Sequence, residues 1–87
     1  MPLYRVDRRM GALSADDLDA AVFRSLACLP HFQGLVWLRS FHDAAAGQLT
    51  CYFEAARPDD IRQHAAMAHV PCDAVAEVTE YLPDGYR

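Results

Sequence analysis

The sequence predicts an α+β sandwich in which four strands and two helices follow one another in the order βαββαβ. Two segments carry apolar residues at helical spacing behind clear helix-start signals. Four shorter segments either alternate or are rich in β-branched and aromatic residues, as strands are. A chain of 87 residues suffices for one small core, so residues 1–87 are predicted to form a single domain.

The first strand and the first helix have distinct local signals. In LYRVDR, alternation places Tyr4, Val6 and Arg8 on one side of a predicted β1. Ser14 then stands where a side chain can cap a helix, and Pro30 ends that helix. Its apolar stripe consists of Leu18, Ala21, Val22, Ser25 and Leu29. A stripe of this width is typical of a helix that lies on a sheet.

Turn and helix-breaking residues divide the rest of the chain. LVWLRSF and LTCYFEA flank the turn-like HDAAAGQ and predict a hairpin of β2 and β3. Pro58, followed by Asp59 and Asp60, predicts the start of a second helix. The apolar face of that helix comprises Ile61, His64, Ala65 and Ala68. After Pro71, AVAEVTEY predicts β4. Two right-handed βαβ halves then give a ferredoxin-like fold, a four-stranded antiparallel sheet with both helices on one face.

Alternation assigns the strand residues to the two faces of this sheet. Toward the helices we expect Val6, Val36, Leu38, Cys51, Phe53, Ala76 and Val78. On the open face we expect Arg5, Asp7, Trp37, Arg39, Phe41, Tyr52, Glu54, Glu77, Thr79 and Tyr81. Four aromatic residues on an uncovered face predict a homodimer interface through Trp37, Phe41, Tyr52 and Tyr81, with a covered ligand surface as the alternative. A one-residue shift in β2 would instead turn Trp37 inward.

Composition argues against several classes of function. Twelve acidic residues against eight arginines, with no lysine, give a net charge of −4 and no basic run for nucleic acid. No apolar segment reaches the roughly 18 residues of a membrane helix, and MPLYRVDRR lacks a signal-peptide core, so a cytoplasmic location is expected. Three cysteines without regular spacing predict free thiols. Four glycines leave little from which to build a nucleotide-phosphate loop.

A Cys-His pair is the strongest candidate for chemistry. Strand alternation points Cys51 toward the helices, and helical spacing points His64 toward the sheet. Such a pair can stabilise a thiolate or bind a transition metal. The predicted ligand-binding residues are Cys51, His64, Tyr4 and Tyr52, and the predicted metal ligands are Cys51, His64 and His69. The opposing interpretation is that Cys51 and His64 only fill the core. The sequence contains no CxxC or HxxxH motif, so metal-ligand spacing does not argue against this interpretation.

Several segments together resemble a known family. These are PLYRVDRR, LSADDL, WLRSF and CYFEAARPDDIRQHA, the last followed by a proline. They are similar to small ferredoxin-like proteins catalogued as a domain of unknown function, a family that includes a nickel-binding protein. The most specific part is the block C-Y-x-E-A-x-x-P/S-x-x-I/V-x-x-H, here Cys51, Tyr52, Glu54, Ala55, Pro58, Ile61 and His64.

The resemblance implies a dimeric α+β sandwich that can bind a divalent metal such as nickel or zinc, and it implies no reaction. It also marks a difference from the nickel binder. Where that protein carries histidines near the end of the first strand and within the second, this chain has Asp7, Arg8, Arg9 and Arg39. Arginine does not ligate metals at neutral pH, so these positions do not supply the same ligands.

Three hypotheses of function follow from the sequence. The first is a homodimeric protein that binds a divalent metal or a small ligand near Cys51 and His64. The second is a cofactor-free monooxygenase, isomerase or cyclase in which His64 acts as acid or base, a fold-level analogy that requires a pocket lined by these residues. The third is an interaction protein in which the Cys-His pair only packs.

Overall fold

A computed structural model describes residues 1–86 and contains one four-stranded antiparallel sheet with two helices on one side. The strands are β1 (Leu3–Arg9), β2 (Val36–Asp43), β3 (Gln48–Glu54) and β4 (Ala74–Val78), in the spatial order β2-β3-β1-β4. The helices are α1 (Ala15–Cys28) and α2 (Pro58–Ala68). Short 3₁₀ turns follow at Leu29–His31 and Pro83–Tyr86. The predicted βαββαβ order and ferredoxin-like fold are confirmed.

Both helices begin where the sequence signals predict. The Ser14 hydroxyl accepts a hydrogen bond of 3.1 Å from the Asp17 backbone N–H and so caps α1. Pro58 occupies the first turn of α2, where no intrahelical partner is lost. At the other end of α2, His69 adopts a left-handed conformation with φ 57° and carries the C-cap. No helix in residues 1–86 is long and apolar enough to cross a membrane.

The core lies between the sheet and the helices. Its buried cluster consists of Tyr4, Val6, Leu35, Leu49, Cys51, Phe53, Ala55 and Ile61. The predicted face of α2 is confirmed, since Ile61, His64, Ala65 and Ala68 are all buried. The predicted inward positions of Val6, Cys51 and Phe53 are confirmed as well. The helix-facing side of β1 and β3 was therefore predictable from alternation alone.

The prediction for the first half of β2 is wrong, because the strand contains a β-bulge between Trp37 and Arg39. Trp37 pairs with Phe53 on the helix-facing side, and the two rings stack with centroids 6.0 Å apart. Val36 and Leu38, which were expected inside, are exposed. The bulge inserts one extra residue, so alternation is interrupted there and resumes in register beyond it.

Beyond the bulge, the predicted faces of β2 are confirmed. Arg39 pairs with Tyr52 and Phe41 with Thr50 on the open side. Ser40 faces inward, and its hydroxyl accepts a hydrogen bond of 2.8 Å from the Trp37 indole N–H. This bond spans the bulge and satisfies the polar edge of an otherwise apolar ring.

The prediction for β4 is wrong by one residue. Val75 pairs with Val6 and contacts the core, while Ala76 and Val78 pair with Arg5 and Leu3 on the open side. Glu77, expected on the open side, pairs with Tyr4 on the other side of the sheet. The segment AVAEV has apolar residues on both faces, so its pattern does not indicate which face of the strand points toward the helices.

The β2–β3 turn holds the segment that follows β1. Gly47 adopts φ 65°, and a Cβ there would lie 3.0 Å from the backbone oxygen of Gly11. The backbone N–H groups of Met10 and Gly11 both donate to the Gly47 carbonyl. A glycine is needed here for both conformation and space. The contact fixes Met10 at the edge of the space between the sheet and α1.

Candidate functional site

His64 lies at the centre of the core and is 0% exposed. Its ring contacts Phe32 edge-on, with centroids 5.7 Å apart, and Phe53 at 5.8 Å. Its Nε2 lies 2.8 Å from the backbone carbonyl oxygen of Ser25 in α1. Because a carbonyl can only accept, Nε2 carries the proton and donates. The imidazole thus connects α2 to α1.

The second nitrogen of His64, Nδ1, is buried and has no hydrogen-bond partner in residues 1–86. Burial lowers the pKa of His64, the bond to the Ser25 carbonyl partly opposes this, and the charge of Arg8 lowers it further. The ring is therefore neutral near pH 7, and the lone pair of its Nδ1 accepts no hydrogen bond from residues 1–86. The predicted Cys51–His64 pair makes no hydrogen bond, since neither ring nitrogen has Cys51 as its partner.

Cys51 instead lines a cavity between the sheet and α1. The cavity measures about 20 Å³, enough for roughly one water molecule. Its walls include Arg8, Ala21, Ser25, Trp37, Cys51 and Phe53. His64 is not among the lining residues, although Ser25 and Phe53, which contact its ring, are. An acid or base role for His64 toward a molecule in this cavity has no direct contact to support it.

Arg8 is the charged wall of this cavity and is only 3% exposed. Its Nη1 donates a hydrogen bond to the carbonyl of Pro71, and its guanidinium carbon lies 5.9 Å from the centroid of the Phe53 ring. Within residues 1–86 it forms no ion pair with a carboxylate. Burying a cation without a counter-charge beside it is energetically costly.

A surface groove of about 330 Å³ lies beside the cavity. The two spaces share Met10, Ala21 and Val70 as walls. At the rim of the groove, the Arg24 guanidinium donates to the carbonyls of Ala68 at 2.9 Å and His69 at 3.4 Å. The shared walls place the groove, between α1 and the end of α2, next to the cavity that Arg8 and Cys51 line.

The remaining predicted site residues are not brought together. Tyr4 is buried in the core on the helix-facing side. Tyr52 is on the open side, where its ring contacts Phe41 edge-on at 6.3 Å. His69 is exposed at the end of α2. Cys72, which was not among the predicted site residues, is half-buried, and burial raises the pKa of its thiol while the charge of Arg8 opposes the shift.

Comparison with known proteins places this arrangement in a family. Residues 4–78 match the model of a family described as nickel responsive protein SCO4226-like. The chain belongs to this family. The crystal structure of SCO4226 from Streptomyces coelicolor A3(2) superposes with a TM-score of 0.79 at 20% identity, covering 92% of this chain and 99% of that one. At this identity the superposition establishes the shared fold. No curated protein matches the sequence.

The family description raises the question whether this chain has ligands for nickel. In residues 1–86, no three His, Cys, Asp or Glu side chains are grouped so that they could hold a metal ion. The predicted set of Cys51, His64 and His69 does not form such a group. The unpaired Nδ1 of His64 is one suitable donor, but a stable site needs three or more ligands. The residues of one described chain therefore do not fit a divalent-metal centre.

Two residues of the cavity were missed as functional candidates at the sequence level. Arg8 was assigned to the side of β1 that carries Tyr4 and Val6, which places a charge at a core position. This was a usable signal, because an arginine is almost never fully buried unless it is paired with another group. Trp37 was predicted for the dimer interface on the open face and lies instead on the helix-facing side, since the bulge that turns it toward Phe53 is not recognisable in the sequence.

Proposed function

We propose that this chain is a homodimeric protein that binds a small organic molecule between its sheet and α1. The observation that carries the proposal is the cavity beneath α1, which adjoins a groove of about 330 Å³ and shares three wall residues with it. Concave, mostly apolar spaces with a few polar groups are the usual form of small-molecule sites. Arg8, Ser25 and the Cys51 thiol are among the polar groups that line the cavity.

The homodimer is supported by the open side of the sheet. Val36, Leu38 and Phe41 are 43%, 38% and 61% exposed there, respectively. A groove of about 320 Å³ crosses this side beside Tyr52. A solvated sheet face is normally polar, so apolar residues grouped on it favour a partner.

Binding is tested with benzamide, a small uncharged probe, followed by amide NMR spectra of the full chain. We expect saturable shifts at Met10, Ala21 and Val70, which line both spaces. Val22→Phe should weaken binding, because Val22 is half-buried and lines the cavity. Ala27→Phe is the matched control, since Ala27 is exposed on the same helix. Equal shifts in both variants would mean that the probe binds elsewhere.

Dimerisation is tested by sedimentation at micromolar concentration. We expect a dimer for the unmodified chain and a monomer for Phe41→Glu, because a buried carboxylate without a partner opposes association. Phe23→Glu is the control, since Phe23 is 69% exposed on α1 and lies on the other side of the molecule. A monomeric unmodified chain would remove the dimer from the proposal and leave the cavity unaffected.

The metal alternative is supported by the family description alone. The strand residues that face the open side include no histidine or cysteine, so a dimer formed through that side would add no soft ligands. Calorimetric titration with nickel, zinc and copper tests this alternative, with Cys51→Ala and His64→Ala as controls. A saturable heat that is lost in both variants would favour metal binding over the proposal made here.

A further inference from the structure

We propose that the cavity beneath α1 is selective for an organic anion, with the carboxylate of the ligand paired to the buried guanidinium of Arg8. This inference rests on the proposed small-molecule function and names the class of molecule.

The guanidinium of Arg8 has more donor groups than the protein satisfies. It carries five N–H donors, and its one hydrogen bond within residues 1–86 runs from Nη1 to the Pro71 carbonyl. The Nε and Nη2 groups have no acceptor in this part of the chain. Arg8 is nonetheless 3% exposed and forms a wall of the cavity. A cation held in this way is prearranged for an acceptor that enters from outside.

The acidic groups near Arg8 are engaged elsewhere. The Asp73 carboxylate accepts a hydrogen bond of 2.6 Å from the Arg9 backbone N–H. The Asp7 carboxylate lies 3.3 Å from Nε of Arg5. Burial raises the pKa of the Cys72 thiol, so this group is uncharged at neutral pH and does not neutralise Arg8. The missing negative charge is therefore not supplied by these neighbours.

The dimensions of the two spaces define the ligand. The cavity of about 20 Å³ has room for one carboxylate oxygen beside Arg8, so the rest of the ligand would have to extend past the shared walls into the adjoining groove of about 330 Å³. The groove is lined by six apolar residues, Met10, Leu13, Ala20, Ala21, Val70 and Pro71, and by three polar ones, Asp17, Arg24 and His69. These walls favour a monoanion with an apolar body. Arg24 also lines the groove, but its Nε and Nη2 groups donate to the carbonyls of Ala68 and His69, so a phosphate would find few further donors here.

The test compares benzoate with benzamide, which have nearly the same shape and differ in charge. We expect benzoate to bind the unmodified chain at least about tenfold more tightly, as judged by amide NMR titration. The Arg8 side-chain N–H resonance should shift with benzoate and saturate together with the resonances of Met10 and Val70. This comparison needs no substitution, so it remains decisive if an Arg8 variant fails to fold.

Arg8→Met should abolish the preference for benzoate while retaining weak binding of benzamide. Arg9→Met is the matched control, because Arg9 is exposed on the same strand, and it should keep the preference. Equal affinities of the unmodified chain for both probes would overturn the anion inference and leave the proposed small-molecule function standing. Failure of both probes to bind would overturn the proposed function as well.

Discussion

His64→Gln is expected to remove a pH-dependent part of the free energy of unfolding. His64 is 0% exposed and donates from Nε2 to the Ser25 carbonyl, while its Nδ1 has no partner in residues 1–86. A glutamine amide can make the same donation without titrating near neutral pH. The substitution therefore separates the titration of the imidazole from its hydrogen bond to α1.

The sign follows from the lowered pKa of His64, whose main cause is burial. In the unfolded chain the imidazole titrates near pH 6.5. Between this value and the lower folded pKa, the unfolded state binds a proton that the folded state does not. The contribution of His64 to the free energy of unfolding is thus complete above about pH 6.5. It falls as the pH decreases, by at most about 1.4 kcal/mol per pH unit. Below the folded pKa the loss stops.

The assay is urea unfolding monitored by the fluorescence of Trp37, the single tryptophan, which is half-buried against Phe53. Protein concentration is held constant, because association would make stability concentration-dependent. Measurements from about pH 7.5 to about pH 5.5 cover the expected window without protonating most carboxylates. The unmodified chain should lose stability over this range, and His64→Gln should lose much less.

The control is His31→Gln, the same substitution at an exposed histidine. It should retain the slope of the unmodified chain. Parallel pH profiles for the unmodified chain and His64→Gln would refute the reasoning, since the burial of a neutral imidazole would then contribute nothing to the linkage between folding and protons.

Three further predictions concern stability and are measured by urea or thermal unfolding. Ser14→Ala should lower the free energy of unfolding by about 1 kcal/mol, because the Asp17 N–H loses its cap; an unchanged midpoint would show that water replaces the hydroxyl. His69→Gly should raise the free energy of unfolding by about 0.5 kcal/mol, because glycine adopts the left-handed φ of 57° without strain and its more flexible unfolded state offsets only part of this gain. His69→Val should lower the free energy of unfolding, because a β-branched residue is strained at this φ. Ser40→Ala should cost about 1–2 kcal/mol by leaving the half-buried Trp37 indole N–H without its acceptor; Ser40→Thr, which keeps a hydroxyl, should cost less.

The identity and order of the elements could be predicted from short-range signals. Ser14 caps α1, Pro58 starts α2, and apolar stripes of helical spacing mark the side of each helix that faces the sheet. These signals act within one helical turn, so they are present in the sequence itself. The inward direction of Cys51 and of His64 followed from the same periodicities.

The contacts of the site could not be predicted in the same way. The faces of Trp37 and Val36 depend on a bulge, and a single extra residue reverses alternation without a distinct sequence signal. The partner of His64 is a backbone carbonyl 39 residues away, which no side-chain pattern reports.

The sequence by itself therefore determined the sheet, the two helices and the burial of the Cys-His pair. Only the tertiary structure decided that Cys51 and Arg8 share a cavity, while His64 bonds to Ser25 behind its wall. The physical reason is that local periodicity sets the direction of a side chain, whereas its partner depends on how separate elements pack. The missing counter-charge of Arg8 in the described residues is a property of that packing.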